Sequence, residues 1–242
     1  MNNIYLIHIF QEKFKFSWGG EHATFIRTNA SSCCNSEIMT ANISAISRLR
    51  IGVDGEGVTT LVVFMLCPLN CRYCLNPQTL SMSYPHKCYT AQELYDEVKI
   101  DGLYFLATGG GVTFGGGEPL LNASFINEFR HVCGPQWKIN VETSLNIKPE
   151  LLHSVIDTVD SFIIDIKDMN PSIYSGYTER DNSRVIENLK YIVKKGKTDS
   201  CVIKLPLIPG FNDGDDVLSS KSILEKMEYR NFSRLTYKTK EL

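Results

Sequence analysis

Residues 60–74 read T-L-V-V-F-M-L-C-P-L-N-C-R-Y-C and carry the two signals that decide the fold and the chemistry. The first half, Thr60–Cys67, is a continuous apolar run, which is typical of a parallel strand buried on both faces. The second half places Cys67, Cys71 and Cys74 in a C-x3-C-x2-C spacing directly after that strand. A buried strand followed by three closely spaced thiols predicts a metal or cluster site at the carboxyl end of a parallel sheet.

Strand and helix signals alternate from residue 60 to the end of the chain. Thr90 and Glu93 form a capping box that predicts a helix start, Pro149 opens a second helix, and Gly196 ends a third. Strict alternation of this kind predicts parallel strands joined by right-handed helical crossovers. The six predicted strands cover residues 60–67, 112–117, 138–145, 161–169, 201–208 and 232–238.

The number of strand–helix units decides between closed and partial barrels. A closed barrel of eight units typically needs about 250 residues, and the chain is too short for one once its amino-terminal segment is set aside. We therefore predict an α/β fold, a partial (β/α)6 barrel of the TIM type. A doubly wound sheet is the alternative, which periodicity alone does not separate from it.

The amino-terminal segment differs from the rest of the chain. Residues 1–38 show no sustained period and contain a small polar stretch around Cys33 and Cys34. We predict that residues 1–45 form a poorly ordered extension and that residues 46–242 form the barrel domain. Met39 begins a segment that runs into the first strong strand, which makes it a candidate translation start.

Composition limits the classes of function. The formal net charge of −2 gives no basic field for nucleic acid, and no apolar stretch approaches the ~20 residues of a membrane helix. The opening apolar run Ile4–Phe10 is short and lacks a basic start, so no secretory signal is predicted. Eight cysteines in such a chain indicate metal or redox chemistry rather than disulfides. We expect a cytoplasmic monomer without nucleic-acid or membrane partners.

Reactive side chains stand at the ends of successive predicted strands. The strand that follows the cysteine motif ends in Gly115–Glu118. The carboxyl ends of parallel strands lie at the same edge of the sheet, which is where parallel α/β folds form their active sites; we call this edge the mouth. Asp165 and Lys167 stand two residues apart, so within a strand they face the same side. A structural ion pair is the alternative for these two, because buried charges need partners. Later strands contribute the polar residues Glu142, Thr143, Asp165, Lys167 and Lys204.

The three cysteines are compatible with more than one kind of metal site. Three thiolates can hold three corners of a [4Fe–4S] cubane and leave the fourth iron uncommitted. With Cys88 as a fourth ligand, a structural zinc site or a closed cluster is the alternative, and unmetallated core cysteines are another. Cys133 and Cys201 are expected to pack as small buried hydrophobic residues.

The glycine-rich run before Glu118 matches neither of two common phosphate-binding motifs. It is not followed by Gly-Lys-Ser/Thr, and it lacks the G-x-G-x-x-G spacing of a dinucleotide site. A purely structural turn remains an alternative. Three glycines beside a carboxylate nevertheless favour close approach of the backbone to a zwitterionic ligand.

Four motifs resemble one family. The cysteine motif, with Tyr73 before its third cysteine, resembles the signature of the radical S-adenosylmethionine (SAM) superfamily. The stretch from 109 to 120, G-G-G-V-T-F-G-G-G-E-P-L, resembles the GGGVT-x-SGGEP stretch of glycyl-radical enzyme activases such as pyruvate formate-lyase activating enzymes. Asp165-Ile-Lys167 is similar to their D-x-K motif, and residues 205–213 are similar to their late P-G-x-x-D stretch. The resemblance covers roughly residues 47–240.

The resemblance implies a role for each matching residue. Cys67, Cys71 and Cys74 would hold a [4Fe–4S] cluster whose open iron binds SAM. Glu142 and Thr143 take the place of an Asp-Thr pair that helps to bind a monovalent cation. The remaining residues would contact SAM: Tyr73 and Leu75 at the adenine, Gly116, Gly117 and Glu118 at the amino group, Asp165, Ile166 and Lys167 at the ribose and methionyl carboxylate, and Lys204 nearby.

The resemblance also implies an activity. Flavodoxin or ferredoxin would supply one electron, SAM would be cleaved reductively to a 5′-deoxyadenosyl radical, and the radical would abstract a glycine hydrogen from a partner glycyl-radical enzyme. Such a cluster is oxygen-sensitive, so an anaerobic setting is expected.

Asp54–Thr59 lacks the Pro and Arg of the family's D-G-P-G-I-R stretch. A radical SAM enzyme acting on a small molecule or another peptide is one alternative, and a non-catalytic iron–sulfur or zinc protein is another.

Overall fold

The computed structural model describes residues 39–236, and the predictions made for residues 1–38 lie outside the described residues. Within that range one mixed sheet contains eight strands, β1 Thr40–Ile51, β2 Val58–Phe64, β3 Lys87–Thr90, β4 Gly111–Gly116, β5 Lys138–Thr143, β6 Ser161–Asp165, β7 Cys201–Leu207 and β8 Phe232–Thr236. Their order in the sheet is β3-β1-β2-β4-β5-β6-β7-β8.

Helices connect the parallel strands, and their starts follow the sequence signals. The capping box of Thr90 and Glu93 is present at the helix that begins at Ala91, and Pro149 stands in the first turn of another helix. No helix in residues 39–236 has both the length and the apolar character needed to cross a membrane. The helices are α1 Ala91–Val98, α2 Gly102–Thr108, α3 Ala123–Cys133, α4 Pro149–Val155, α5 Pro171–Thr178, α6 Ser183–Lys194 and α7 Gly214–Lys226.

The prediction of a partial barrel is confirmed. The six predicted strands are β2 and β4 to β8, and each pairs in parallel with the next one along the chain. The sheet does not close, since β3 and β8 are its two ends. A doubly wound sheet reverses its strand order at a switch point. The order from β2 to β8 contains no such reversal, so the alternative topology is excluded.

Two strands were missed by the sequence analysis. β1 pairs antiparallel with β2 and with β3, and the boundary predicted between residues 45 and 46 falls inside it. Its register with β2 shifts between Ile43 and Ala45 and again between Ser47 and Arg50. A bulge interrupts the alternation of buried and exposed residues by which a strand is recognised, which explains why this segment gave no strand signal.

The parallel strands present two faces with different contents. On the outer face, Phe64 and Phe114 stack at 5.3 Å and pack against Phe125 and Phe129 of α3. On the inner face, Asn140 donates a hydrogen bond to Thr113 (3.1 Å), which donates to the carbonyl oxygen of Asp54 (2.5 Å). The inner face is therefore packed at the amino ends of the strands, and its polar groups at the carboxyl ends form the mouth.

Candidate functional site

The loop that carries the three cysteines begins where β2 ends. Leu66 has a φ of 70°, a left-handed conformation that turns the chain out of the strand before Cys67. Its amide donates to the carbonyl of Thr79 (2.7 Å), and its own carbonyl accepts from the amide of Glu118 (2.8 Å). The start of the loop is therefore fixed from both sides by backbone hydrogen bonds.

The middle of this loop is attached to the carboxyl end of α5. The amide of Asn70 donates to the carbonyl of Thr178 (3.0 Å), and that of Arg72 donates to the carbonyl of Tyr177 (3.1 Å). The Asn70 side chain also donates to Glu179 (2.6 Å). Carbonyls of the last turn of a helix have no partner within the helix, so the cysteine loop satisfies α5 and α5 holds the loop.

The thiols are half-buried and lie close to the other predicted groups. Burial raises the pKa of Cys67 to about 12, and the negative charge of Glu118 adds to the effect. Burial also raises the pKa of Cys71 to about 11, where Lys167 opposes the shift and Asp165 adds to it. Iron or zinc binds the thiolate and displaces this proton. Glu118, Asp165 and Lys167 therefore lie close enough to the thiols to influence their pKa values.

The donor set fits a cubane, because Cys67, Cys71 and Cys74 can each bind a different iron and leave the fourth iron open. Among residues 39–236, no three His, Cys, Asp or Glu side chains are arranged to hold one metal ion. Cys88, the proposed fourth ligand, lies on β3 opposite Asn42 of β1.

A ridge of backbone at the end of β4 faces the cysteine loop. Gly116 has a φ of 95°, and a Cβ on Gly117 would stand 2.1 Å from the carbonyl oxygen of Leu66. The earlier glycines have another role, because a Cβ on Gly110 or Gly111 would collide with the backbone of a neighbouring strand. The structural interpretation therefore holds for Gly110 and Gly111. Gly116 lies against Val63 of β2, and Gly117 lets Leu66 at the start of the cysteine loop approach closely.

Glu118 is a buried carboxylate at the mouth that accepts four hydrogen bonds. It is 1% exposed and accepts hydrogen bonds from the Thr143 hydroxyl (2.7 Å), the Ser144 hydroxyl and amide (2.7 and 2.9 Å) and the Leu120 amide (3.2 Å). Burial raises its pKa, and the hydrogen bonds from Ser144 and Thr143 oppose that shift. The side chain thus ties the end of β4 to the end of β5.

Replacing Thr143 with valine should weaken this tie. Valine has nearly the shape of threonine but no hydroxyl, so the buried Glu118 carboxylate would lose one donor. We expect the free energy of unfolding to fall by about 1–3 kcal/mol, measured by urea denaturation. Thr143→Ser, which keeps the hydroxyl, is the matched control and should lie closer to wild type. Equal stabilities for the valine variant and wild type would contradict this assignment.

The pair Asp165 and Lys167 is confirmed to share one side. Asp165 ends β6, Lys167 follows it, and their side chains form an ion pair. Lys167 is 9% exposed at its side chain and Asp165 26%. The electrostatic influence of both reaches Cys71 and Tyr177. The ion pair thus stands at the mouth beside the cysteine loop rather than on the outer face.

Glu142 and Lys204 form a second ion pair, with the Lys204 Nζ 2.6 Å from the Glu142 Oε1. The predicted place of a monovalent cation beside Glu142 and Thr143 is therefore already approached by an ammonium group. Thr143 uses its hydroxyl hydrogen on Glu118, and its oxygen accepts from the Leu145 amide (2.9 Å). These residues do not fit an additional cation well.

An aromatic cluster at the mouth was not predicted from the sequence. Tyr73 of the cysteine loop lies 6.1 Å from Tyr177 of α5 and 5.8 Å from Phe211, between ring centroids, and Tyr177 and Phe211 are 5.1 Å apart. Phe211 belongs to the P-G-F-N-D stretch noted in the sequence, so its motif was seen but not its contact. Leu75, predicted beside the adenine, is 66% exposed at the rim.

Ser144 was also missed, although it follows Thr143 directly in the sequence. The structure brings together the thiol loop, the glycine ridge with Glu118, and the ion pair after β6. It places the Glu142–Lys204 pair on the inner face of the same strands. The contacts of these residues with SAM stay predictions.

Comparison with known proteins gives the family. The radical SAM superfamily profile matches residues 61–219, which is more than half of the chain. Pyruvate formate-lyase 1-activating enzyme of Escherichia coli strain K12 is 29% identical over 170 residues, covering 68% of this chain and 67% of the relative. Pyruvate formate-lyase-activating enzyme of Listeria monocytogenes is 30% identical over 177 residues, covering 69% of each.

A solved structure agrees in fold. Streptococcus suis SuiB bound to the precursor peptide SuiA superposes with a TM-score of 0.57 at 15% identity, covering 72% of this chain and 38% of that chain. The chain thus spans well under half of that protein, and the likeness is one of fold. The profile match over residues 61–219 shows that the chain belongs to the radical SAM superfamily.

Proposed function

We propose that the chain cleaves SAM reductively at a [4Fe–4S] cluster held by Cys67, Cys71 and Cys74, and that it activates a glycyl-radical enzyme. The observation that carries the first part is the cysteine loop, whose start lies against the glycine ridge and whose thiols lie near Glu118, Asp165 and Lys167. When bound, the cluster supplies one electron to the sulfonium of SAM, whose S–C5′ bond breaks to give methionine and a 5′-deoxyadenosyl radical.

Backbone and charge position SAM in this proposal. A Cβ on Gly116 or Gly117 would collide with Val63 or Leu66, so these glycines hold the end of β4 against β2 and the cysteine loop. The amino group of methionine would meet the backbone carbonyls of this ridge. Lys167 offers an ammonium group to the methionyl carboxylate, and Asp165 holds that ammonium group in place. Glu118 acts by fixing the ridge to β5, since its carboxylate is already occupied by four donors.

Aromatic and apolar residues would cover the adenine side. Tyr73 packs against Tyr177 and Phe211. Leu75 at the rim is exposed and would contact the ligand. An apolar wall excludes water from the reacting carbon, which protects a radical from side reactions. No side chain need act as a base, because the step that follows transfers a hydrogen atom.

A glycine of a partner protein is the proposed source of that hydrogen. The radical would take it from Cα, giving 5′-deoxyadenosine and a glycyl radical on the partner. The names of the similar proteins support this target, since they include activating enzymes of pyruvate formate-lyase and of 4-hydroxyphenylacetate decarboxylase. Leu66 and Leu75, 42% and 66% exposed beside the thiols, could contact an entering polypeptide loop. Flavodoxin or ferredoxin is the proposed electron donor.

Anaerobic turnover tests both parts. The reconstituted protein is reduced with dithionite and mixed with SAM and with pyruvate formate-lyase carrying α-deuterated glycine. We expect 5′-deoxyadenosine that contains deuterium and a glycyl-radical signal in electron paramagnetic resonance. A formate-lyase whose radical-bearing glycine is changed to alanine is the control and should give neither.

Other outcomes separate the alternatives. An intact cluster without any 5′-deoxyadenosine would refute the enzyme and favour a non-catalytic iron–sulfur protein. Formation of 5′-deoxyadenosine without deuterium or a glycyl radical would refute this glycine as the target and favour a small molecule or another peptide.

A further inference from the structure

Lys204 and Glu142 join two strands that are not paired with each other in the sheet. Glu142 lies in β5, Lys204 lies in β7, and β6 separates them in the sheet. The Lys204 Nζ nevertheless stands 2.6 Å from the Glu142 Oε1. The lysine side chain therefore reaches across β6 on the inner face of the partial barrel.

Strand register shows that this is the face of the mouth. Glu142 pairs with Ile163, and Lys204 pairs with Asp165, two residues further along β6. Residues two apart on a strand face the same side. Glu142, Lys204 and Asp165 therefore share one face, and Asp165 connects this pair to Lys167 beside the cysteine loop.

The neighbouring oxygen ligands are already in use. Thr143 donates its hydroxyl hydrogen to Glu118 and accepts the amide hydrogen of Leu145. An alkali cation beside Glu142 would meet the fixed positive charge of Lys204 at close range, and like charges disfavour such binding. An ammonium group carries the same unit charge as an alkali cation and offers three donors.

We infer that the Lys204 ammonium group takes the place of the monovalent cation that the family resemblance assigns to Glu142 and Thr143, so that this chain binds SAM without an alkali metal. One Nζ hydrogen is used on Glu142, and the remaining donors are available to a carboxylate. The ligand they would serve is the methionyl carboxylate of SAM, and to that extent the inference rests on the proposed function.

Cation dependence of unfolding tests the inference without using SAM. The cluster-reconstituted protein is melted in choline chloride and in potassium chloride at the same ionic strength, about 0.1 M, where general screening is equal. Wild type should unfold at the same temperature in both salts. Lys204→Met, which keeps much of the length but removes the charge, should unfold about 5 °C lower in choline and recover partly in potassium.

Two further variants make the comparison specific. Lys221→Met removes a surface lysine that pairs with Glu225 at 3.3 Å, and it should show no difference between the salts. Glu142→Gln removes the carboxylate, and its midpoint should likewise be independent of potassium. A potassium-dependent rise in the wild-type midpoint would overturn the inference, and it needs no variant to fold.

SAM binding, measured by calorimetry, gives a second readout. Wild type should bind equally in both salts, whereas Lys204→Met should bind roughly tenfold more weakly in choline and regain affinity in potassium, as expected for one charge-assisted hydrogen bond. A wild-type affinity that depends on potassium would overturn the inference. Absence of SAM binding in both salts would refute the proposed function instead, while the unfolding comparison would still decide the role of Lys204.

Discussion

Replacing Cys71 with alanine is expected to abolish SAM cleavage, with 5′-deoxyadenosine formation falling by about 10⁴-fold or more. The loop offers three thiolates for three irons, so the loss of one leaves an iron without a protein ligand. Without the assembled cluster there is no electron donor at the sulfonium, and only the uncatalysed reaction remains. The loss should therefore appear in the iron content and in turnover together.

Cys133→Ala is the matched control for this experiment. Cys133 is also a half-buried free cysteine, but it ends α3, where its sulfur contacts the carbonyl oxygen of Gly134 (3.4 Å). Its removal should leave iron, sulfide and turnover unchanged. Iron and sulfide per chain are measured after anaerobic reconstitution, and 5′-deoxyadenosine is measured by chromatography after reduction. Four irons and normal turnover in Cys71→Ala would refute the three-thiolate site.

The sequence predicted those elements that a local pattern of residues is enough to identify. A buried run such as Thr60–Cys67 needs both sheet faces covered, so it predicts a parallel strand, and β2 is found there. The ends of parallel strands lie at one edge by topology. The common location of Cys67, Glu118 and Asp165 was therefore predictable without any knowledge of their contacts.

The contacts themselves depend on distance in space, which the sequence does not encode locally. Phe211 meets Tyr73 only because the loop after β7 folds over the cysteine loop. Lys204 meets Glu142 only because a long side chain reaches across an intervening strand. β1 was missed for a local reason, since its two register shifts remove the period-two pattern.

Backbone hydrogen bonds attach the cysteine loop to its neighbours, and they limit how far each neighbour can move. Asn70 and Arg72 bind backbone carbonyls of α5, and Leu66 binds the backbone of Glu118. Side chains can adjust to a changed neighbour, whereas paired backbone segments move only together. The contact of Gly117 with Leu66 joins two paired backbone segments. Among the neighbours of the cysteine loop, Gly117 should therefore tolerate substitution least.

Gly117→Ala is accordingly expected to reduce SAM cleavage by about 10²-fold, the effect of displacing reacting groups by roughly 1 Å. The new Cβ would stand 2.1 Å from the carbonyl oxygen of Leu66 and 3.1 Å from that of Phe64. Both are backbone atoms, so the cysteine loop or the ridge must shift. Because the thiols lie beyond Leu66, the cluster position relative to the SAM amino group would change.

Gly176→Ala provides the matched control, because it makes the same chemical change in α5 with nothing within 4 Å of the new Cβ. Alanine favours a helix over glycine by about 1 kcal/mol, so this variant should be at least as stable as wild type and fully active. Turnover, SAM affinity and the unfolding midpoint should be measured for both variants. A Gly117→Ala protein that keeps the wild-type rate would show that the loop does not need this close approach, and the ridge would then lose its role in positioning the cluster against SAM.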